Sequence, residues 1–319
     1  MQNTVEIRVE GKAFNVSCAE IDGQQTIVTG TRLRTASIMD EEFVVGESVK
    51  DPDSFIKGIK NASLRVDLFT FCQPLTDVKP KHQYHLEWDN AAVIPITTFQ
   101  KWLDGLSQET RRNIRKASKA GVTVKTAQFD DAFSRGIVEI YNETPVRQGR
   151  RFWHYGKSFE AVKLETATYL DRSEFVGAYL GDELIGFIKM IYVARGAHIV
   201  YILSKVCHAD KRPTNALIAK AVELCAEKGL THFVYCKYVY GKTDESPLTE
   251  FKRRNGFERV DFPRYYIPLS ITGKTALKLG IHHGWSNLIP KPIFVALVGL
   301  RRRVFSLIGS KSSVEKNAA

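Results

Sequence analysis

Apolar and polar positions change period repeatedly along the chain, and each change marks an element. Thr4–Val9 and Ala13–Cys18 alternate around Gly11-Lys12 and predict a hairpin. Thr26–Ile38 reads as strand, broken near Gly30. Asp51 caps a short helix that starts at Pro52 and ends near Asn61. Leu64–Phe71 is a strand, and Tyr84–Trp88 and Ala92–Ile96 read as a strand pair around Asp89-Asn90. The period then lengthens. Thr97 or Thr98 caps a helix through Leu106, and Ser107 opens a second one that stops at Gly121. Val122–Thr126 is a strand, followed by helices at Phe129–Glu143 and Phe159–Leu170. Phe175–Leu180 and Glu183–Tyr192 make a hairpin across Gly181-Asp182.

The densest order follows. Ala197–Lys205 is an apolar strand, Cys207–Arg212 a polar loop, and Pro213–Lys228 a helix closed by Gly229. Its inward stripe is Leu217, Ala221, Leu224 and Cys225. Thr231–Tyr238 is a strand and Leu248–Asn255 a short basic helix ended by Gly256; Glu258–Val260 and Tyr265–Pro268 finish the sheet. A strand that feeds a helix N-terminus through a polar loop is a place for phosphate, because unpaired N–H groups and the helix dipole face it. The pattern predicts a mixed α/β (α+β) chain in three parts: a β-rich segment over 1–96, a second unit over 97–270, and a basic extension over 271–319.

Charge alters this picture only at the end of the chain. The formal charge is +11, but eight basic residues stand against one acidic residue from Ser270 onward, which leaves the remainder mildly basic. In that extension Ile293–Leu300 is too short to span a bilayer, and Arg301–Arg303 with Val304–Ile308 is basic and amphipathic. It either lies on anionic lipid or packs on the protein with its arginines outward. The five cysteines form no C-x-x-C pair, and residues 1–11 carry no apolar core of a signal peptide, so a reduced, cytoplasmic protein is expected, with contact at the inner face of a membrane through the extension as a further option.

Candidate chemistry concentrates in the second unit. Arg112, Arg115, Lys116 and Lys119 share one helix face, as a solvated stripe or as a cradle for the phosphates of a nucleotide, tRNA or lipid-linked acceptor. The segment 145–157 holds Arg147, Arg150, Arg151, Phe152, Trp153, His154 and Tyr155. Arginine forks bind carboxylate or phosphate and aromatic faces stack on rings, unless the loop folds onto the core. His154 is either a general base or structural. His82 and His85 lie in a strand-like stretch where a spacing of three separates their faces, so no metal site is expected. No Ser-His-Asp or Cys-His set is evident.

The order strand, loop, helix, strand, helix, Gly-Phe resembles the GNAT superfamily of acyl-CoA-dependent acyltransferases over Phe175–Leu269. RRNIRKASKAGVTV, YNETPVRQGRRFWHYG and EFKRRNGF extend the likeness to its Fem-type (FemAB-like) branch over about Thr97–Leu269. The resemblance implies a mostly antiparallel GNAT-like sheet flanked by helices, with residues 1–96 as a degenerate second copy. It implies that Ala197–Lys205, including Leu203 and Ser204, binds the acyl-pantetheine arm. The loop through Arg212, Thr214 and Asn215 takes the place of the pyrophosphate loop, although it contains no glycine. Lys252, in the Phe-Lys pair, corresponds to the lysine that stabilises the reacting acyl group. The implied activity is N-acyl transfer from acyl-CoA (acetyl-CoA), without metal, to an amine of a small molecule or cell-envelope precursor. Arg147, Arg150, Trp153, His154 and Tyr155, assisted by Arg112 and Arg115, would bind that acceptor. An aminoacyl-tRNA donor, as in Fem enzymes, and a binding protein on an inactive transferase fold are the alternatives.

Overall fold

The computed structural model describes residues 3–9, 12–240 and 246–284. The first segment forms β1 (Asn3–Val9), β2 (Lys12–Ile21), β3 (Gln24–Thr29), β4 (Thr35–Ile38), α1 (Pro52–Asn61), β5 (Leu68–Cys72) and β6 (His85–Pro95). Next come α2 (Phe99–Gly105), α3 (Gln108–Lys119), β7 (Val122–Ala127), α4 (Asp131–Asn142), the small hairpin β8 (Val146–Arg147) and β9 (Arg150–Arg151), and α5 (Phe159–Thr166). The chain continues through β10 (Ser173–Leu180), β11 (Glu183–Val193), β12 (Gly196–Ser204), α6 (Pro213–Glu227), β13 (His232–Val234), α7 (Pro247–Arg254), β14 (Glu258–Pro268) and α8 (Ile271–Lys278). Local chemistry starts the helices where the sequence indicates: Asp51, Thr98 and Ser107 each accept a backbone N–H of the first turn.

One sheet collects twelve strands in the order β1-β2-β3-β4-β5-β14-β6-β13-β12-β11-β10-β7. Its neighbours are antiparallel except for two parallel pairs, β4 with β5 and β12 with β13. Each parallel pair is joined through a helix, α1 or α6, so the same strand–helix–strand unit occurs twice. The strand after each unit crosses to the other one. β6 pairs with β13, β14 pairs with β5, and β6 and β14 pair with each other from Glu258↔Val93 to Tyr266↔His85. The sheet therefore runs across residue 96 without a break.

Three larger clusters fill the core. The inward stripe of α6 is buried with Trp102 and Ala117 against β10–β12. On another side of these strands, Phe133, Ile137 and Tyr141 of α4 and Val162 of α5 pack with Phe175 and Phe187. Phe55 and Ile59 of α1 cover Phe69, Phe71 and Tyr265.

Three elements differ from expectation. β6 is one continuous strand, with no turn at Asp89-Asn90. The Asp89 carboxylate instead pairs with Arg264 and Lys237, and Asn90 Oδ1 accepts the Val239 N–H, so both polar side chains are satisfied without reversing the chain. β14 is likewise continuous through Pro263. β13 is shorter than Thr231–Tyr238, because Cys236 adopts a left-handed backbone (φ 44°) that turns the chain away. The basic amphipathic segment at 301–308 lies outside the described residues.

Candidate active site

The short parallel pair creates a fork. β12 and β13 are in register only at Gly196↔His232, Ala197↔Phe233 and His198↔Val234. Beyond Val234 the chain stays with β6: Tyr235 N–H donates to Ala92 O at 2.8 Å, and Ala92 N–H to Cys236 O at 2.9 Å. β12 instead follows β11 as far as Ser204↔Gly186. From Ile199 onward, no strand among the described residues lies against the edge of β12 toward β13. At the crotch the Cys236 thiol reaches Ile199 O at 3.8 Å.

Lys252 sits behind this crotch. Ser246 caps α7 through Thr249 N–H, and the next turn places Lys252 inward with no exposed surface. Its ammonium donates to Lys237 O and lies 4.4 Å from the Tyr235 ring and 4.9 Å from the Tyr240 ring. Such faces attract a cation, but burial still lowers the lysine pKa to about 8. The accepting segment is tethered, since Lys237 pairs with Asp89 at 2.8 Å, Asp89 with Arg264 at 3.0 Å, and Arg264 with Glu41 at 3.2 Å. α7 is fixed at its other end. Asn255 O accepts Trp102 Nε1 at 3.1 Å, and its side chain accepts from Asn215 of α6 at 2.9 Å. At Gly256 (φ +82°) a Cβ would meet Trp102 Nε1 at 2.9 Å, so the closing residue needs glycine on both counts.

The turn after β12 has an unusual occupant. Ser204 and Thr214 hydroxyls share a hydrogen bond of 3.0 Å across its mouth. Arg212 is left-handed (φ 59°), and no side chain caps α6. The first N–H groups of the turn are taken, however: the Glu143 carboxylate accepts from Val206 at 2.6 Å and Cys207 at 2.8 Å. These backbone hydrogen bonds help hold Glu143 below the usual carboxylate range despite its burial. Arg147 braces the arrangement by donating to Ser204 O at 2.8 Å, Ile140 O at 2.7 Å and Glu143 at 3.3 Å.

The aromatic loop divides. His154 is buried against Tyr141 (ring centroids 4.0 Å apart) and Trp153 (3.5 Å), and its ring lies 6.2 Å from that of Tyr201 on β12. Burial, with Lys157 and Arg147 nearby, lowers its pKa to about 3. Lys157 bonds Glu165 at 2.5 Å and lies over Trp153. Trp153, Tyr155 and Arg150 are exposed. Nearby, the fully buried Lys189 of β11 donates to Thr166 O at 2.8 Å and Thr168 Oγ1 at 2.9 Å. The first half reaches the same face: Phe43 packs edge-on to His198 at 5.8 Å, its carbonyl accepts from Arg172, and Tyr169 bonds Asp40. Surface cavities of about 590 and 630 Å³ lie away from the fork, against α8 and beside α4.

No family model and no curated protein matches the chain. Solved structures do. L-PGS from Bacillus licheniformis superposes with a TM-score of 0.54 at 15% identity, over 83% of this chain and 88% of that one. FemX gives 0.50 at 11% identity, over 88% and 90%. The C-terminal domain of a putative lysylphosphatidylglycerol synthetase from Agrobacterium fabrum gives 0.51 at 12%, over 83% and 88%. The chain shares the fold of these proteins.

Within this fold, the fork collects only some of the residues expected from sequence. Ser204 meets Thr214 at the mouth of the turn, Asn215 reaches Asn255 after α7, and Lys252 lies on α7 against Tyr235 and Tyr240. The Leu203 side chain packs with the α4 cluster, and its backbone pairs with Phe187 of β11. Arg212 is exposed at the end of the turn. Arg147 and His154 are built into the protein and hold the turn and loop. Arg150, Trp153 and Tyr155 remain available on the loop surface. Arg112 and Arg115 lie on the exposed face of α3, which packs on α6. Sequence reasoning missed Glu143, Tyr235, Tyr240, Lys189 and the Asp40–Tyr169 contact. Lys189 alone left a signal, as a single charge inside the apolar run Leu184–Tyr192.

Proposed function

We propose that the fork transfers an activated acyl group to an amine, with Lys252 as the cation that stabilises the oxyanion. The observation that carries this is a fully buried ammonium, walled by Tyr235 and Tyr240, behind the point where β12 and β13 part. The donor would lie along the free edge of β12. The amine nitrogen attacks the donor carbonyl and forms the new C–N bond. The carbonyl oxygen becomes an oxyanion beside Lys252, collapse breaks the bond to the leaving oxygen or sulfur, and the amine proton passes to that leaving group through solvent. No protein nucleophile is required.

Between donors, the turn favours an aminoacyl ester such as aminoacyl-tRNA over acyl-CoA. Glu143 occupies the Val206 and Cys207 N–H groups with a negative charge where a pyrophosphate would need donors. The likeness to L-PGS and FemX is in keeping with this choice. The acyl-CoA reading is supported by the open N-terminus of α6 and the Ser204–Thr214 hydroxyls. The test supplies labelled aminoacyl-tRNA and, separately, labelled acetyl-CoA, each with aminolipids, amino sugars and peptides as acceptors. Label is expected to move from the aminoacyl ester. Movement from acetyl-CoA alone would reverse the donor assignment, and movement from neither would remove the transferase reading.

A further inference from the structure

Away from the fork, three histidines surround one carboxylate. His85 and Glu87 are two residues apart on β6, so they share a face of the strand. After α8, Gly280 (φ +68°) opens a turn, Ile281–His283, that brings two more imidazoles to that face. His282 Nε2 lies 2.7 Å from Glu87 Oε1, and His85 Nε2 lies 3.2 Å from the same oxygen. His283 Nε2 lies 2.5 Å from Glu87 Oε2. One ligand atom each from His85, Glu87 and His282 falls within 4.8 Å of the others. The His282 side chain is only 2% exposed, and its Nδ1 has no hydrogen-bond partner among the described residues. Tyr266 of β14 backs the group, 4.8 Å from the His282 ring and 5.9 Å from the His283 ring.

This grouping differs from the His82/His85 pair visible in the sequence. His82 packs instead on Phe71 and Tyr265. Nothing in residues 82–90 announces His282, which arrives from nearly two hundred positions away.

We propose that His85, Glu87 and His282 bind a zinc ion, with His283 holding the second carboxylate oxygen. Imidazole nitrogen with one carboxylate suits Zn²⁺ and disfavours Mg²⁺ or Ca²⁺, which take oxygen. Tetrahedral ligands at bond lengths of about 2.0–2.1 Å stand roughly 3.4 Å apart. The His85–Glu87 distance of 3.2 Å is close to that spacing, the His282–Glu87 distance of 2.7 Å would open by about 0.7 Å, and all three ligand atoms already lie within 4.8 Å of one another. The ion would clip the turn after α8 onto β6, the strand shared by the two halves of the sheet. This does not depend on the transfer reaction.

The experiment uses untagged full-length protein, stripped with a chelator and titrated with Zn²⁺ by calorimetry. Co²⁺ absorption then reports coordination geometry, and thermal unfolding reports linkage. One equivalent should bind, Co²⁺ should give the intense visible bands of a tetrahedral site, and saturation should raise the melting temperature by a few degrees. His282→Ala and His85→Gln should each weaken binding at least about tenfold. His82→Ala should leave it unchanged. His85 is exposed, so its variant keeps the test valid if His282→Ala fails to fold. The proposal is overturned if the stripped protein binds no stoichiometric Zn²⁺, or if His85→Gln binds it as tightly as the parent.

Discussion

Two lysines without surface exposure, Lys189 and Lys252, set a structural use of the group beside the chemical use proposed for it. Burial lowers both pKa values to about 8. Lys189 is ringed by the oxygens of Thr166 and Thr168, which ties the α5–β10 connection to β11. Lys252 has one acceptor among the described residues, Lys237 O, beside the open edge of β12. Lys252→Met should therefore lower the transfer rate by about 10²–10³. Lys189→Met should chiefly lower the melting temperature. Steady-state kinetics and thermal scans on both variants distinguish the roles. The folded-state pKa of Lys252 lies below its ordinary 10.5, so its cost is fully present below pH 8 and is relieved as pH rises from 8 to 10.5. Lys252→Met should accordingly be at least as stable as the parent at pH 7, with an advantage that shrinks over that window. Urea unfolding at pH 7, 8, 9 and 10 measures it; an advantage that grows with pH would contradict the assignment. In the active parent, the rate should fall as pH passes about 8, where the ammonium loses its proton.

At the scale of elements, the turn between β12 and α6 is governed by a helix distant in sequence. Glu143 at the end of α4 holds two of its N–H groups and is itself braced by Arg147. Glu143→Ala strips a charged acceptor from three donors and should cost about 1–3 kcal/mol in urea unfolding. Arg147→Ala removes part of the same unit, so the double variant should lose less than the sum of the two. The missing glycine of this turn was legible in the sequence, as were the helix caps and the α6 stripe, because each depends on neighbours within a few residues. The hold of Glu143 on the turn was not legible, since the Val206 and Cys207 N–H groups stand more than sixty positions away. Arg147 and His154 looked like acceptor ligands for a related reason. Composition marks a loop rich in arginine and aromatics but does not tell an outward fork from one turned onto Ser204 O. The pair Asp89-Asn90 misled in the same way, as turn residues whose polar groups are satisfied across strands.

For the whole molecule, the sheet matters more than a boundary in the chain. β6 and β14 lie side by side at its centre, each against the parallel pair of the other half. The Glu41–Arg264–Asp89–Lys237 chain of ion pairs links the first half to the segment that accepts from Lys252. The protein should unfold in one transition, and a fragment starting at residue 97 should not fold, because it lacks the strands on both sides of β14. Calorimetry of the intact chain and circular dichroism of the fragment check this. Most strands could be anticipated from hydrophobic period, whereas a second copy of the unit was raised by family likeness alone. The crossing of β6 and β14 could not, because pairing across the centre is fixed by long-range register. The fork beside Lys252 is proposed to hold an aminoacyl ester. Thermal unfolding of the full-length protein with saturating aminoacyl-tRNA, uncharged tRNA or acetyl-CoA tests it most directly. At about 100 times Kd the ligand should add about 2.7 kcal/mol. A rise of a few degrees with aminoacyl-tRNA, larger than with uncharged tRNA and absent with acetyl-CoA, is the predicted result. An equal rise with charged and uncharged tRNA, or a rise with acetyl-CoA alone, would contradict it.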